Sequence, residues 1–348
     1  MNDVLFEIVH KMTQQRDSDS LQRALLIGLM DVLPLHEAAL YRPVGEGSVM
    51  HMEQLLEVKR SPDEGATGNS CEVIDNIIEL SLATYVNKCM EQAELLVDEE
   101  PSIYRMLIPL TIDHKIKMVL SLNGEKQVSK SHDFIKNVIK IYENFSAVLD
   151  GSERDKLTGL FNRRTFDAKL KRMLKAQKTR QHKYIPDQKK SDERNLSPNA
   201  SAWLVILDVD FFKRVNDRFG HIVGDEILLE IAQRMTDCFR RADYLFRFGG
   251  EEFVIILEPI SCEMAKNVLE RFRKTIADYK FPLIGEITVS LGFARITEND
   301  FPVTILSRAD EALYYAKEHG RNCVYNYEQL IDEGKLEKTV VKGSVDIF

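Results

Sequence analysis

The sequence predicts two domains of different class: an α+β N-terminal domain on an antiparallel sheet, then an α/β C-terminal domain, joined by an amphipathic helix. Three observations carry this expectation. A chain of 348 residues is longer than one core ordinarily serves. From Met1 to Gly151, helical patterns are followed by strand-like runs in antiparallel order. After Trp203, short apolar strands alternate with amphipathic helices, as in a sheet covered by helices on one or both faces.

In the N-terminal domain, residues 1–133, two helical patterns precede strand-like runs at Glu37–Pro43 and His51–Val58. A long helical run is expected from Cys71 to about Glu91. Strand candidates Arg105–Thr111 and Lys115–Leu122 follow, with Ile112-Asp113-His114 as the turn between them. From Phe134 the residues Phe134, Val138, Ile141, Phe145 and Val148 recur at alternating steps of four and three, widened by Ile135, Tyr142 and Leu149. A helix with that seam needs a partner, and two are open: its own domain, or the same helix of a second chain in a coiled coil.

The segment 134–154 is therefore read as a signalling helix and linker, 155–328 as the second domain, and 329–348 as a tail. Within the second domain, Lys175–Asn199 is polar and basic and carries Pro186 and Pro198, which predicts a surface loop or disordered insertion. Asp187, Asp192 and Glu193 interrupt its basic run, so a solvated loop is favoured over a nucleic-acid contact. Beyond it the pattern predicts strand Trp203–Val209, a helix from about Gly224 to Arg240, hairpin Tyr244–Leu257 and helix Met264–Asp278. Strand Ile287–Ala294, helix Val303–His319 and strand Cys323–Tyr327 complete it.

Hydrophobic residues at 44% and charged residues at 29% suit a soluble globular protein rather than a disordered or fibrous one. No apolar run approaches a bilayer span and the N-terminus has no signal-peptide core, so a cytoplasmic protein without membrane contact is expected. Cys71, Cys89, Cys238, Cys262 and Cys323 form no CxxC pair, and neither a disulfide framework nor a zinc site is indicated. His10, His36, His51 and Cys71 lack metal or haem spacing. A net charge of -8 argues against a general nucleic-acid partner while leaving a local nucleotide site open.

The residues with chemistry lie at strand ends. The apolar run Trp203–Leu207 ends in Asp208-Val209-Asp210, followed by Phe211-Phe212-Lys213. Carboxylates next to a lysine and loop amides suit a hard cation and a phosphate together. Alone, such an acid is more readily a turn cap. However, Gly249-Gly250-Glu251-Glu252 joins two strand-like runs, and adjacent acids at a hairpin tip repel unless a cation lies among them. That pairs Glu251 and Glu252 with Asp208.

Gly249-Gly250-Glu251-Glu252-Phe253 resembles the signature of GGDEF-family diguanylate cyclases in its GGEEF form. Asp155 to Arg164, DKLTGLFNRR, is similar to the family's DxLTGLxNRR motif. Asp208 to Lys213 with Asn216-Asp217 and Gly220-His221 resembles its DxDxFKxxND…GH block. Ala309-Asp310, Tyr315-Ala316-Lys317 and Gly320-Arg321-Asn322 are similar to its C-terminal AD…YxAK…GRN. The resemblance spans about Asp155 to Tyr327.

What it implies is a nucleotidyl-cyclase-like domain that condenses two GTP molecules into cyclic di-GMP and two pyrophosphates. The active unit would be a homodimer with Mg²⁺ or Mn²⁺, two ions per active site. Asp208, the Val209 carbonyl and Glu251 would bind metal and Glu252 would supplement them. Lys213, Lys317 and Arg321 would meet the triphosphate with the amides of Phe211 and Phe212, so that Glu251, Asp208 and Lys213 carry catalysis. Asn216 and Asp225 would read guanine. Independently, a carboxylate accepts two bonds from guanine N1–H and the 2-amino group, a donor pair adenine lacks. Asp225 equally suits a helix-start acid, and the two roles are compatible. His221, in the same block, is counted with the substrate-binding residues, with packing or capping as the plainer alternative.

Arg240 and Asp243 form an RxxD five residues before the hairpin, which resembles the family's inhibitory site for the product. A surface ion pair is the plainer alternative. The N-terminal order of elements resembles a GAF-type sensory domain, with a PAS-like domain the alternative. It would receive a small-molecule or protein signal that the residues do not identify, or serve only to dimerise. The second functional class, a catalytically silent cyclic di-GMP receptor working through Arg240 and Asp243, is opposed by the intact Asp208, Lys213, Asp225, Glu251, Lys317 and Arg321.

Overall fold

A computed structural model describes residues 2–44, 51–60, 69–72, 80–100, 103–182, 200–240, 242–297 and 300–337. The chain divides into two compact units, Met1–Ser152 and Glu153–Phe348.

The first unit runs α1 (Asn2–Thr13), α2 (Ser18–Val32), β1 (Leu35–Val44), β2 (His51–Arg60), β3 (Asn69–Glu72), α3 (Leu80–Gln92), β4 (Leu96–Glu100), β5 (Ile103–Ile112), β6 (Lys115–Gly124) and α4 (His132–Glu153). Among the described residues its strands form an antiparallel sheet in the order β3-β2-β1-β6-β5-β4. Period-2 alternation assigns the faces. Ala38 and Leu40 of β1 join Leu120 and Leu122 of β6 in a core with Leu21, Leu25 and Leu29 of α2. Ala39, Tyr41 and Val119 point the other way and pack with Val86 and Cys89 of α3.

Helix α4 buries Phe134, Ile135, Val138, Ile139, Tyr142 and Leu149 in the first of these cores, with Ile141 and Phe145 packed against it. Of its two open partners, its own domain receives most of the seam, and Val148 alone of the five seam residues is well exposed.

Two expectations need correction in this unit. Cys71 lies in β3, not in a helix, because Asn69–Glu72 pairs with Arg60–Glu57 of β2 and the ladder overrides local pattern. Residues 73–79 of the expected helix lie outside the described residues, and α3 begins at Leu80. Strand β4 was not expected, since Asp98, Glu99 and Glu100 disguise its period. It is an edge strand, and Asp98 pairs with Arg105 of β5.

The second unit runs β7 (Phe161–Asn162), α5 (Arg163–His182), β8 (Ser201–Val209), α6 (Phe212–Phe219), α7 (His221–Cys238), β9 (Tyr244–Gly249), β10 (Glu252–Ile260), α8 (Cys262–Asp278), β11 (Val289–Arg295), α9 (Pro302–Glu318), β12 (Val324–Asn326) and α10 (Tyr327–Asp332). Among the described residues the sheet order is β12-β11-β8-β10-β9-β7. Central β8 is antiparallel to β10 and β11, while the outer pairs β11–β12 and β7–β9 are parallel. The unbroken apolar run of β8 follows from burial on both faces. Trp203, Val205, Leu207 and Val209 meet residues of α7 and α8, whereas Ala202, Leu204 and Ile206 meet those of α5, α9 and α10.

Helix α5 continues to His182, eight residues into the segment expected to be a loop. Lys175 to His182 contains no Gly or Pro and is rich in Lys, Gln and Arg, so propensity carries the helix on until Pro186 approaches. Residues 183–199 lie outside the described residues. Helix α6, within the block that follows Asp210, was also not separately expected; it is one amphipathic fragment that buries Phe212 and Val215.

Gly292 of β11 sets the distance between the sheet and α9. A Cβ there would collide with backbone atoms of Ala309, Ala312 and Leu313. We expect Gly292→Ala to destabilise this unit by about 3 kcal/mol, because the obstructing atoms are backbone and cannot swing aside. Urea unfolding against wild type checks this, and a loss below about 0.5 kcal/mol refutes it.

Candidate active site

The register of β8 with β10 sets Asp208 opposite Glu252, and that with β11 sets Asp208 opposite Ser290. By parity Asp208 and Glu252 follow Leu204, Ile206, Val254 and Ile256 onto the α9 face. Lys317, in the last turn of α9, places Nζ 2.9 Å from Asp208 Oδ1. Burial raises the Asp208 carboxyl above its usual range, and Glu252 and Asp210 add to this, while Lys317 works against it. Glu251, in the turn, is raised by burial and by Asp208 and Glu252, again with Lys317 opposing.

Asp208 and Glu251 thus share the field of Lys317, and Glu252 adjoins both. Among the described residues no three His, Cys, Asp or Glu side chains are grouped to hold a metal ion. The expected donor set contains three such side chains, Asp208, Glu251 and the supplementary Glu252, and a backbone carbonyl, that of Val209; in this structure the three carboxylates are not drawn together into such a group.

The Gly-Gly turn is tied to the start of the unit. Arg247 donates from Nε and Nη2 to the Gly250 carbonyl at 3.1 and 3.0 Å, and from Nη1 to Asp155 Oδ1 at 2.9 Å. Asp155 also accepts from the Thr158 amide at 2.9 Å and its hydroxyl at 2.7 Å. Burial alone would raise the Asp155 carboxyl, but Thr158 and Arg247 together hold it below the usual value. The sequence alone does not single out Arg247, because an Arg in a strand has no local signature.

Asp210 is buried and accepts from Thr288 Oγ1 and Ser290 Oγ at 2.7 Å each and from the Asn322 amide at 3.0 Å. It holds together the end of β8, the approach to β11 and the loop after α9. Phe212 is buried, while Phe211 and Lys213 are exposed at the start of α6. Lys213 makes no ion pair among the described residues. The Asn216 side chain lies against Gly224 of α7, where any Cβ would strike its Oδ1. Asn216 is thereby brought to the residue preceding Asp225, which is exposed, as is His221 at the helix start.

Asp243 is half of the expected inhibitory pair, yet its carboxylate is engaged locally. Oδ2 accepts from the Arg240 amide and Oδ1 from the Glu258 amide, both at 3.0 Å. Burial still leaves its carboxyl above the usual range. The Arg240 side chain stands on the exposed surface beside this turn.

Residues 188–323 match the family described as "Diguanylate cyclase, GGDEF domain", so the second unit carries a GGDEF domain. The chain is 39% identical over 171 residues to diguanylate cyclase DgcP of Pseudomonas aeruginosa, covering 48% of this chain and 23% of that protein. It is 32% identical over 213 residues to response regulator PleD of Caulobacter vibrioides, covering 59% of this chain and 42% of that one. It is 32% identical over 230 residues to diguanylate cyclase A of Treponema denticola, covering 62% and 58%. The chain therefore spans between 23% and 58% of the length of these relatives. Among solved structures it is similar to the GGDEF domain of DgcB from Caulobacter crescentus in complex with c-di-GMP, at 29% identity and TM-score 0.44, covering 51% of this chain and 96% of that one.

Because the folded Asp155 carboxyl is held low, its ionised form stabilises the fold above the ordinary value of 3.8, and that contribution is lost as pH falls through the lower folded value. Asp155→Asn is expected to cost about 1 kcal/mol at pH 7, with the difference from wild type shrinking as the pH approaches 3. Denaturant titrations across that range check it; a constant difference contradicts the ionic origin.

Proposed function

We propose that this protein is a diguanylate cyclase acting through its C-terminal unit. Each 3′-hydroxyl of two GTP molecules attacks the α-phosphorus of the other, losing its proton as the bond to pyrophosphate breaks. The products are cyclic di-GMP and two pyrophosphates. The observation that carries this reading is the placement of Asp208 opposite Glu252 at two paired strand ends, with Glu251 in the adjoining turn and Lys317 on Asp208, within a GGDEF domain. Like charges held this close in a partly buried site are costly without a cation, and oxygen donors of this kind suit Mg²⁺ or Mn²⁺.

Asp208, the Val209 carbonyl and Glu251, supplemented by Glu252, would hold two ions per site. The ions, when bound, would activate the attacking hydroxyl and neutralise phosphate charge. Lys213 and Arg321 supply positive charge for the triphosphate, with the amides of Phe211 and Phe212. Lys317 stands where it can exchange Asp208 for a phosphate oxygen. Asn216 and Asp225, at the corner made by Gly224, accept and donate along the guanine edge, with His221 beside them. One unit offers one GTP half-site, so the active species is a homodimer.

We read the N-terminal unit as a GAF-like sensory domain. Its support is the antiparallel sheet with helical layers on both faces and the burial of α4 in its core, so that a signal altering that core also bears on the helix leading to Asp155. Arg240 and the turn held by Asp243 form the product site for feedback inhibition, with Asp243 shaping the turn.

Full-length protein with GTP and Mg²⁺ is expected to yield cyclic di-GMP, identified by mass. Glu251→Gln keeps the shape and removes the charge, and should lower turnover about a hundredfold or more while melting no lower than wild type in chelator. Near-normal synthesis by that variant overturns the metal-site reading.

Arg240→Ala is expected to raise the product concentration for half-inhibition about tenfold, since a planar fork to phosphate or guanine is gone. Progress curves that superimpose on wild type remove the inhibitory role.

A further inference from the structure

The cations assigned to the triphosphate differ in how they are held. Lys317 is fixed by Asp208. Arg321 has no ion pair, and its guanidinium no hydrogen-bond acceptor, among the described residues. Instead its Cζ lies 4.4 Å from the centroid of the Phe211 ring. Arg214, on the first turn of α6, places Cζ 4.5 Å from the same centroid. A carboxylate in that place would occupy the donors of a guanidinium. A ring takes only its face and leaves the edge N–H groups free for another acceptor.

The backbone is built to bring the ring and the guanidinium together. Phe211 has φ 58° and Arg321 φ 58°, with Asn322 at 46°, a left-handed region that residues with a Cβ avoid. Both turns are anchored by one buried group. Asp210, next to Phe211, accepts from the amide of Asn322, next to Arg321. Asn322 is held in turn by Arg273, whose Nη1 donates to its Oδ1 at 2.7 Å. Phe211 itself is 48% exposed, so its ring fills no core and is displayed at the surface.

We propose that Phe211 is a positioning residue for phosphate binding: its ring orients the guanidinium of Arg321 and gathers Arg214 beside it, presenting two cations with free donors to the polyphosphate of the nucleotide. The identity of the anion rests on the cyclase reading; the ring-and-arginine device does not. Arg214 thereby becomes a phosphate-side cation alongside Lys213, Lys317 and Arg321.

The test uses the full chain and inorganic triphosphate as probe in a calorimetric titration, with steady-state GTP kinetics in parallel. Phe211→Leu keeps apolar bulk but removes the ring. It is expected to weaken triphosphate binding and raise KM for GTP about fivefold, with a smaller change in kcat. Phe211→Tyr restores most of the affinity. In the Arg321→Ala background, Phe211→Leu adds nothing further at that position beyond the share carried by Arg214. Arg321→Lys keeps the charge but lacks the plane, leaves the Phe211 turn undisturbed, and should reproduce the Phe211→Leu loss. Triphosphate binding by Phe211→Leu equal to wild type, or full additivity with Arg321→Ala, overturns the proposal, as does an Arg321→Lys variant that binds like wild type. Wild-type protein that binds triphosphate in a Phe211-dependent manner yet makes no cyclic di-GMP overturns the cyclase reading and leaves this one standing.

Discussion

The antiparallel register of β8 with β10 is the constraint on which the site depends. It puts Asp208 opposite Glu252 at the ends of two buried strands and brings the Gly-Gly turn with Glu251 over the same point. A slip of one residue would turn Asp208 toward the opposite layer and Leu207 out of its core. The alternation of Leu204 and Ile206 with Trp203, Val205 and Leu207 between two helical layers prevents that slip, because each residue has an apolar partner on only one side. The carboxylates therefore crowd as a consequence of how the core packs.

What surrounds this register tunes it. Close contact of α9 with Gly292 sets the depth at which Lys317 reaches Asp208. Arg247 spans the Gly250 carbonyl and Asp155, so the hairpin turn is bonded to the motif at which the second unit begins. Asp210, in the same short sequence as Asp208, serves a different purpose. With Thr288, Ser290 and Asn322 as donors it is a structural anion that closes the site's far side. Two acids two residues apart have separate roles because one meets a lysine at a strand end and the other a ring of hydroxyl and amide donors.

The same separation of roles holds for Arg240 and Asp243. Their spacing is legible as a pair, but the Asp243 carboxylate is used by two amides and keeps the turn in shape, while the arginine side chain remains at the surface. In the first unit, α4 makes a comparable choice. A heptad-like seam suits either a second helix or a sheet, and here Phe134, Val138 and Tyr142 are buried in a core shared with β1, β6 and α2.

In the sequence by itself two domains are legible, as are the continuous apolar run that marks β8, the Gly-Gly hairpin, and the acids and lysines named for the candidate site. These are written in local order, as runs of period 2 or 3.6 and as short motifs. Tertiary structure alone decided which of those residues meet. Cys71 went to a strand because β2 offered it a ladder, α5 outran its expected end because nothing in Lys175 to His182 stops a helix, and β4 formed from an acidic run because β5 offered it a ladder of five pairs. Arg247 on Asp155, Asn322 on Asp210 and Arg321 on Phe211 join residues 92, 112 and 110 positions apart. No local pattern encodes such pairs, since they arise only when the sheet order brings distant strand ends to one edge.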